Sequence, residues 1–453
     1  MVRGAFKDVQ KDAPMTAPES IDAALARLAR HHPKKIDLSL GRIEALLDTL
    51  GRPQDRLPPV IHIAGTNGKG STAAFLKAIA EAAGERVHVY TSPHLVRFNE
   101  RIVLAGEIVD DARLKAAFDR VETANGDAPI TFFEATTAAA FLLFAENPAE
   151  RLILEVGLGG RLDATNVVTP QVCVITPVSL DHQAFLGDTV EQIAGEKAGI
   201  IKPGVPVIVG PQSDAARAVI AETARRRGAP ARVWGEDFNA WREHGRTVYE
   251  EESLLWDLPE PGLAGPHQVI NAGVACAAAR ACGYDQAAAR AGLVAARWPA
   301  RLQRLTAGPL ADITTPRGAE LWLDGGHNPS AAETLASALG QMDAASERPL
   351  VLICAFSVNK DAPAYFEYFS GLAARVIALT FAGGREGAQP AQAVADAARA
   401  AQIPAQTAAG LREAVHDALE DYERPRILIC GSLYLAGEVL ALGTAETVQT
   451  TPG

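Results

Sequence analysis

The chain has 453 residues, 48% hydrophobic and 21% charged, a balance ordinary for a globular enzyme and a length sufficient for two or three domains. Lys plus Arg number 43 against 54 Asp plus Glu, a net charge of −11, which excludes general nucleic-acid binding and requires any anion site to be built locally. No run approaches the roughly 18 uninterrupted apolar residues of a membrane span. Cys173, Cys276, Cys282, Cys354 and Cys430 form no C-x-x-C pair, so they give no zinc site and read as small core residues of a protein in the reducing cytoplasm.

Residues 1–17 have mixed charge and no apolar h-region, and read as a disordered leader rather than a signal peptide or anchor. From Ile21 the spacing predicts two helices, "IDAALARLAR" and "LSLGRIEALLDTLG", the second stopped at Gly51. Next comes "VIHIAGTNGKGSTAAFLKAIAEAAG". Val60, Ile61, Ile63 and Ala64 read as a buried parallel strand, and Ala73, Ala74, Leu76, Ile79 and Ala80 as the apolar stripe of a helix. The stretch between them is therefore a strand-to-helix turn. Gly65, Gly68 and Gly70 let its backbone amides face inward, Lys69 adds a point charge, and the helix N-terminus adds its dipole, an arrangement suited to polyphosphate. The strict G-x-x-x-x-G-K-[ST] pattern is not met, because Ile63 replaces its first glycine and Gly70 separates Lys69 from Ser71. The alternative is a glycine turn with a solvated lysine.

Further β-like runs, "RVHVYTSP", "RLILEVGLGG", "QVCVITPVSLDH" and "VPVIVGP", alternate with helical ones and predict a parallel sheet covered on both faces. After "AARWPARLQRL" a second series, "ELWLDGGHNP", "PLVLICAFS", "RVIALTFAG" and "RILICGSLY", predicts another α/β unit with its own core. Ligands of open α/β sheets bind beyond the carboxyl ends of the strands, so two facing units would enclose a cleft. Ser92, Glu155, Asp163, Asp181 and His182 all stand at such ends. Hydroxyl and carboxylate oxygens suit Mg²⁺, whereas an imidazole is a less usual ligand for it. Taken singly, each also reads as a cap or a hydrogen-bonded core residue.

"HIAGTNGKGST", "TSPHLVRFNERI", "FFEATTAAAF", "LEVGLGGRLDATN", "DHQAFLGDTVEQIAGEKAGIIK", "WPARLQ", "LDGGHNP" and "GSLYLAGEVL" occur in that order. Together they resemble the folylpolyglutamate synthase and dihydrofolate synthase family of the Mur ligase superfamily, in one register from about Ile21 to about Leu440. The resemblance implies an α/β fold: a P-loop ATPase domain with a mostly parallel sheet over 18–297, a linker over 298–305, and a smaller Rossmann-like domain over 306–453. It assigns Gly65, Thr66, Asn67, Gly68, Lys69, Gly70 and Ser71 to the ATP triphosphate, with Lys69 on the outer phosphates. Ser71, Ser92, Glu155 and His182 are implied for magnesium, and Lys197 for a carbamylated lysine beside a second Mg²⁺. His267 and Asn271 are implied near the adenine, Arg301 on the phosphates, and Asp324 and His327 at the ribose and phosphates. Thr131, Phe133 and Asp163 match the pterin-side pocket of the bifunctional bacterial type. Each has a plainer reading: a surface ion pair of Lys197 with Glu196 or Glu191, a helix cap at Asn271, a solvated Arg301, a turn at "DGGHNP", and a core Phe133.

The implied catalytic residues are Lys69, Lys197, His182 and Glu155. The implied reaction activates a substrate carboxylate as an acyl phosphate, which the amine of L-glutamate attacks, with dihydropteroate or a reduced folate as acceptor. The expected enzyme is a cytoplasmic monomer without nucleic-acid or membrane partners. The rival readings are another Mur-type ligase acting on a cell-wall precursor, a monofunctional folylpolyglutamate synthase, and an ATP-binding switch.

Overall fold

The computed structural model describes residues 20–31, 39–381, 387–444 and 448–449, so the expected leader over 1–17 lies outside the described residues. Helices Ile21–His31 and Gly41–Thr49 precede the first strand. The second ends as the sequence implies, with Gly51 in the left-handed region at φ 76°.

Eight strands form the first sheet: β1 (Val60–Ala64), β2 (Val87–Tyr90), β3 (Ile102–Leu104), β4 (Glu107–Ile108), β5 (Arg151–Glu155), β6 (Val172–Ile175), β7 (Val207–Val209) and β8 (Ala231–Val233), in the order β4-β3-β2-β5-β1-β6-β7-β8. Pairing is parallel from β2 to β8, while β3 and β4 add an antiparallel edge. Alternate residues of these strands enter different cores. Ile61, Ile63, Val89 and Ile153 pack with helices Lys69–Ala82 and Pro266–Ala281, whereas Val60, Tyr90, Leu152 and Leu154 pack with helices Asp111–Asn125 and Phe132–Glu146. With both faces apolar, the strands read as continuous hydrophobic runs.

A three-stranded antiparallel sheet, β9 (Phe238–Glu243), β10 (Arg246–Glu251) and β11 (Leu254–Leu258), has no counterpart in the sequence expectation. Its Phe238, Tyr249 and Trp256 extend the first core. The cue was a hairpin turn, His244-Gly245, with φ 48° and 73° at its two residues.

The remaining sheet runs β12-β13-β17-β14-β15-β16, from β12 (Gln303–Arg304), β13 (Glu320–Leu323), β14 (Leu350–Cys354), β15 (Ala373–Ala378), β16 (Ala405–Thr407) and β17 (Arg426–Cys430). It is parallel except for β12. Leu350, Leu352 and Leu428 face one core and Val351, Ile353, Ile427 and Ile429 the other. Cys173, Cys276, Cys354 and Cys430 are buried as expected, and Cys282 is partly exposed. Among the described residues no helix is long and apolar enough to cross a membrane.

Candidate active site

The carboxyl ends of the two large sheets face each other across a cavity of about 290 Å³. Its floor is the turn after β1. Gly65, at φ 151°, leaves no room for a side chain, since a Cβ there would lie 1.8 Å from Thr176 Oγ1. Gly68, at φ 88°, caps helix Lys69–Ala82, and a Cβ on it would lie 2.5 Å from Asn271 Oδ1. The turn is thus glycine-bound both by its backbone conformation and by close approach. Its amides do not all face inward. Thr66 N and Asn67 N donate to Pro177 O at 2.9 and 3.3 Å, and the Thr66 hydroxyl bonds the Ser179 backbone. The first intrahelical bond is Thr72 N to Gly68 O, so the cradle's open donors are those of the helix N-terminus at Lys69, Gly70 and Ser71.

Two lysines converge on one carbonyl. Lys69 Nζ donates to Gly65 O at 3.0 Å and to Thr66 O at 3.2 Å, and Lys197 Nζ, from helix Val190–Ala198, donates to Gly65 O at 3.0 Å. Lys197 is buried, and burial followed by the charge of Lys69 pushes its pKa down to about 7. The surface ion pair considered for it is not formed: Glu196 pairs with Arg161 at 2.8 Å.

Glu155, ending β5, lines the cavity and is buried. Burial raises its pKa against the charges of Lys69 and Arg301 and a bond from the Ser92 amide. His182 adopts a left-handed backbone, φ 53°, with its side chain 40% exposed; the protein around the ring and the charges of Lys360, Lys69 and Lys197 lower its pKa, against the pull of Asp181. The imidazole is neutral near pH 7, as metal ligation requires. Among the described residues no three His, Cys, Asp or Glu are clustered as a metal site. Ser71, Ser92, Glu155 and His182 line the same cavity from four separate segments, a sparse oxygen-rich set that fits Mg²⁺ sharing its shell with water and phosphate oxygens.

Helix Pro266–Ala281 brings His267 and Asn271 to the cavity. Asn271 Nδ2 bonds Gln268 Oε1 at 3.1 Å. Gln268 Nε2 donates to His267 Nε2 at 3.0 Å, so the neutral imidazole, its pKa lowered to about 4 by burial and Arg301, carries its proton on Nδ1, a buried donor without a protein partner of the kind a ligand acceptor would satisfy. Arg301 also faces the cavity. It stands between Ala300 and Leu302, both buried and both at positive φ, 55° and 41°. Two strained non-glycine residues around one arginine mark a backbone held for its side chain. Asp324, after β13, accepts from Leu302 N and Gly326 N, both at 2.6 Å, and so ties that linker to the second sheet.

The residues expected at the pterin side stand apart from this lining. Thr131 caps helix Phe132–Glu146 reciprocally with Glu134. Asp163 accepts from Thr165 Oγ1, Thr165 N and Leu158 N, and its pKa is raised by burial against those bonds. Both side chains thus have local capping roles. Phe133 packs behind the cavity wall: a Cβ on Gly157, which lines the cavity, would lie 2.4 Å from its Cζ.

The strand-end candidate Asp181 and two residues without an assigned role in the sequence reading, Asn328 and Lys360, complete the site. Asp181 accepts from Lys360 Nζ at 2.8 Å and from Asn328 Nδ2 at 3.0 Å. His182, Lys360 and His327 hold its carboxyl well below the usual range although burial alone would raise it. His327 Nε2 lies 3.9 Å from the same carboxylate, with the His327 pKa pushed to about 3, chiefly by burial. Lys360 follows β14, so the strand-end rule applied to the second sheet would have found it.

Residues 63–279 match a Mur ligase middle domain, and residues 310–442 match a dihydrofolate synthetase C-terminal domain. Folylpolyglutamate synthase of Lacticaseibacillus casei is 35% identical over 417 residues, spanning 88% of this chain and 92% of that one. E. coli FolC in complex with DHPP and ADP superposes with a TM-score of 0.85 at 31% identity, covering 94% of this chain and 98% of that one. A bifunctional folylpolyglutamate synthase/dihydrofolate synthase with Mn, AMPPNP and L-glutamate bound gives a TM-score of 0.81 at 31% identity, covering 94% and 98%.

Proposed function

The chain belongs to the folylpolyglutamate synthase/dihydrofolate synthase family of Mur ligases, and from that membership we propose that its cavity ligates L-glutamate to dihydropteroate and to reduced folates at the expense of ATP. The carrying observation is the meeting of Lys69, Lys197 and Glu155 from one sheet with Asp324 and His327 from the other in a single cavity. A carboxylate does not condense with an amine unaided. Transfer of the terminal phosphoryl group of ATP to the substrate carboxylate gives an acyl phosphate, with Lys69, the helix N-terminus and Arg301 positioned to neutralise the charge in transit. Attack by the glutamate amine on the acyl carbon then expels inorganic phosphate and leaves an amide. Ser71, Ser92, Glu155 and His182 would hold magnesium, which would supply charge neutralisation on the phosphate oxygens.

The finer assignments belong to the same proposal. His267 and Asn271 take the adenine end, and Gly65 to Ser71 the triphosphate. Lys197, as its carbamate, would assist a second Mg²⁺, a chemistry supported by an amine with a pKa of about 7, since only the neutral amine takes up carbon dioxide. Phe133, packed beside Gly157, offers the pterin-side pocket a stacking face, to which Thr131 and Asp163 also contribute. The working unit is a cytoplasmic monomer of two α/β domains joined at 298–305. Dual activity rests on kinship with bifunctional relatives and on the Phe133 wall.

The test is phosphate release with dihydropteroate or tetrahydrofolate plus glutamate, each reactant omitted in turn. Release that needs all three reactants with both folates supports the bifunctional reading. Release with tetrahydrofolate alone makes the enzyme a folylpolyglutamate synthase, and none with either refutes the ligase.

A further inference from the structure

The sharpest contact between the two sheets passes through Asn328, which the expected nucleotide and metal assignments leave without a role. It lies at the N-terminus of helix Pro329–Ala345, is buried, and spends its whole amide. Its Oδ1 accepts from Ala331 N at 2.9 Å, capping the helix, and from Asn67 Nδ2 at 3.3 Å. Its Nδ2 donates to Asn67 Oδ1 at 3.2 Å and to Asp181 Oδ2 at 3.0 Å. Asn67 belongs to the phosphate turn after β1, and Asp181 to the loop after β6 that also carries His182. Lys360, from the loop after β14, closes the other oxygen of Asp181 at 2.8 Å, and this pair is nearly buried.

We propose that Asn328 is a positioning residue for the transfer reaction: it locks the phosphate turn and the Asp181–His182 loop to the second sheet, with the Asp181–Lys360 ion pair as its clamp. The chemistry of the side chain supports this. A cap alone needs only one acceptor, which serine or aspartate supplies equally well. Only a planar amide offers a donor and an acceptor together to a facing amide, while still having a second proton for a carboxylate. The two sheets must hold their shared cavity in register for a phosphoryl group to meet its acceptor, and misplacement of about 1 Å costs about a hundredfold in rate. Asn328 sets that register without needing to touch a reactant.

The inference rests on the ligase reading only for its turnover measurement. Asn328→Ser keeps a capping hydroxyl but is too short to reach Asn67 or Asp181. The expected result is an unchanged unfolding midpoint, a kcat lower by about tenfold to a hundredfold, and affinity for a non-hydrolysable ATP analogue that falls much less than kcat. Asn328→Asp also caps, but sets a carboxylate against Asp181, and should lose at least as much turnover. Asn67→Ala leaves the cap untouched, so it carries the test if both Asn328 variants fail to fold. It should lower kcat in the same way, and combined with Asn328→Ser it should lower kcat no further than the worse single change. Wild-type kcat in folded Asn328→Ser or in Asn67→Ala overturns the proposal. Parallel loss of kcat and nucleotide affinity in Asn328→Ser also overturns it, because Asn328 would then be a nucleotide contact. Hydrogen exchange separates this from the ligase reading: amides over 179–187 should exchange faster in Asn328→Ser whether or not the wild type ligates, and unaltered exchange there overturns the proposal.

Discussion

Lys69 and Lys197, 128 positions apart in the chain, both place Nζ 3.0 Å from the carbonyl oxygen of Gly65. A neutral carbonyl shared by both amines leaves the charge of Lys69 largely unpaired. The pair is complementary to an anion brought by a ligand, and repulsion adds to burial in lowering the Lys197 pKa.

Lys69→Ala should therefore abolish ligation without unfolding the protein. Lys69 is only partly buried, and its bonds go to the backbone carbonyls of Gly65 and Thr66, the first of which keeps its bond from Lys197. Removing a preorganised charge from the path of a transferred group costs about 10²–10³ in rate. Circular dichroism and phosphate release from the same preparation check both halves, and near-normal turnover in folded protein would refute the phosphate assignment.

Gly65→Ala should fail differently. A methyl group there meets Thr176 Oγ1 at 1.8 Å on a backbone at φ 151°, so the turn must move and both lysines lose their shared acceptor. The expected outcome is a lower unfolding midpoint together with lost nucleotide binding. A variant with wild-type melting and wild-type ATP affinity would show that the turn tolerates displacement.

How much of this was legible in the sequence depended on the range of the interaction. The glycine turn and the buried strands came from contiguous residues, because β1 and β14 are buried on both faces and, His62 apart, apolar at every position. Thr131 was legible in its local role: "TFFE" is a capping box in sequence as in structure. Arg301 owes its aim to positive φ at Ala300 and Leu302, neither of which signals a turn. Asp181 and Lys360 are 179 residues apart, and neither position announces a partner. Contacts that cross from one sheet to the other are fixed by packing of the two units, which periodicity does not encode.

Glu155→Gln should weaken the dependence on magnesium and lower turnover far more than pteroate binding. The carboxylate is buried and faces Lys69 and Arg301. The amide keeps its shape but removes the negative charge that a hard cation needs. Magnesium titration of initial rates is the measurement, and an unshifted half-saturation would remove Glu155 from the metal site.

Lys197 gives the prediction with a pH dependence. Its pKa is 10.5 for an ordinary lysine and about 7 in the folded protein. Between those values the unfolded chain binds more protons than the folded one. The unmodified protein therefore gains stability from this group as pH rises from about 7 towards 10.5, and carries the full cost of burying the ammonium below about 7. The same neutral amine is the form that takes up carbon dioxide, so bicarbonate should stimulate a carbon dioxide-depleted enzyme, more strongly above pH 7 than below it. Lys197→Ala should lose activity that a high concentration of a small carboxylate partly restores, because an added anion can occupy the vacated space. Lys197→Arg should stay inactive, since guanidinium keeps its charge and forms no carbamate. If arginine cannot be accommodated at this buried position, enzyme loaded with ¹³C-bicarbonate still decides the matter. A carbamate carbon resonance present in wild type and lost in Lys197→Ala supports the modified lysine, and its absence from active wild type removes the carbamate while leaving the ligase chemistry in place.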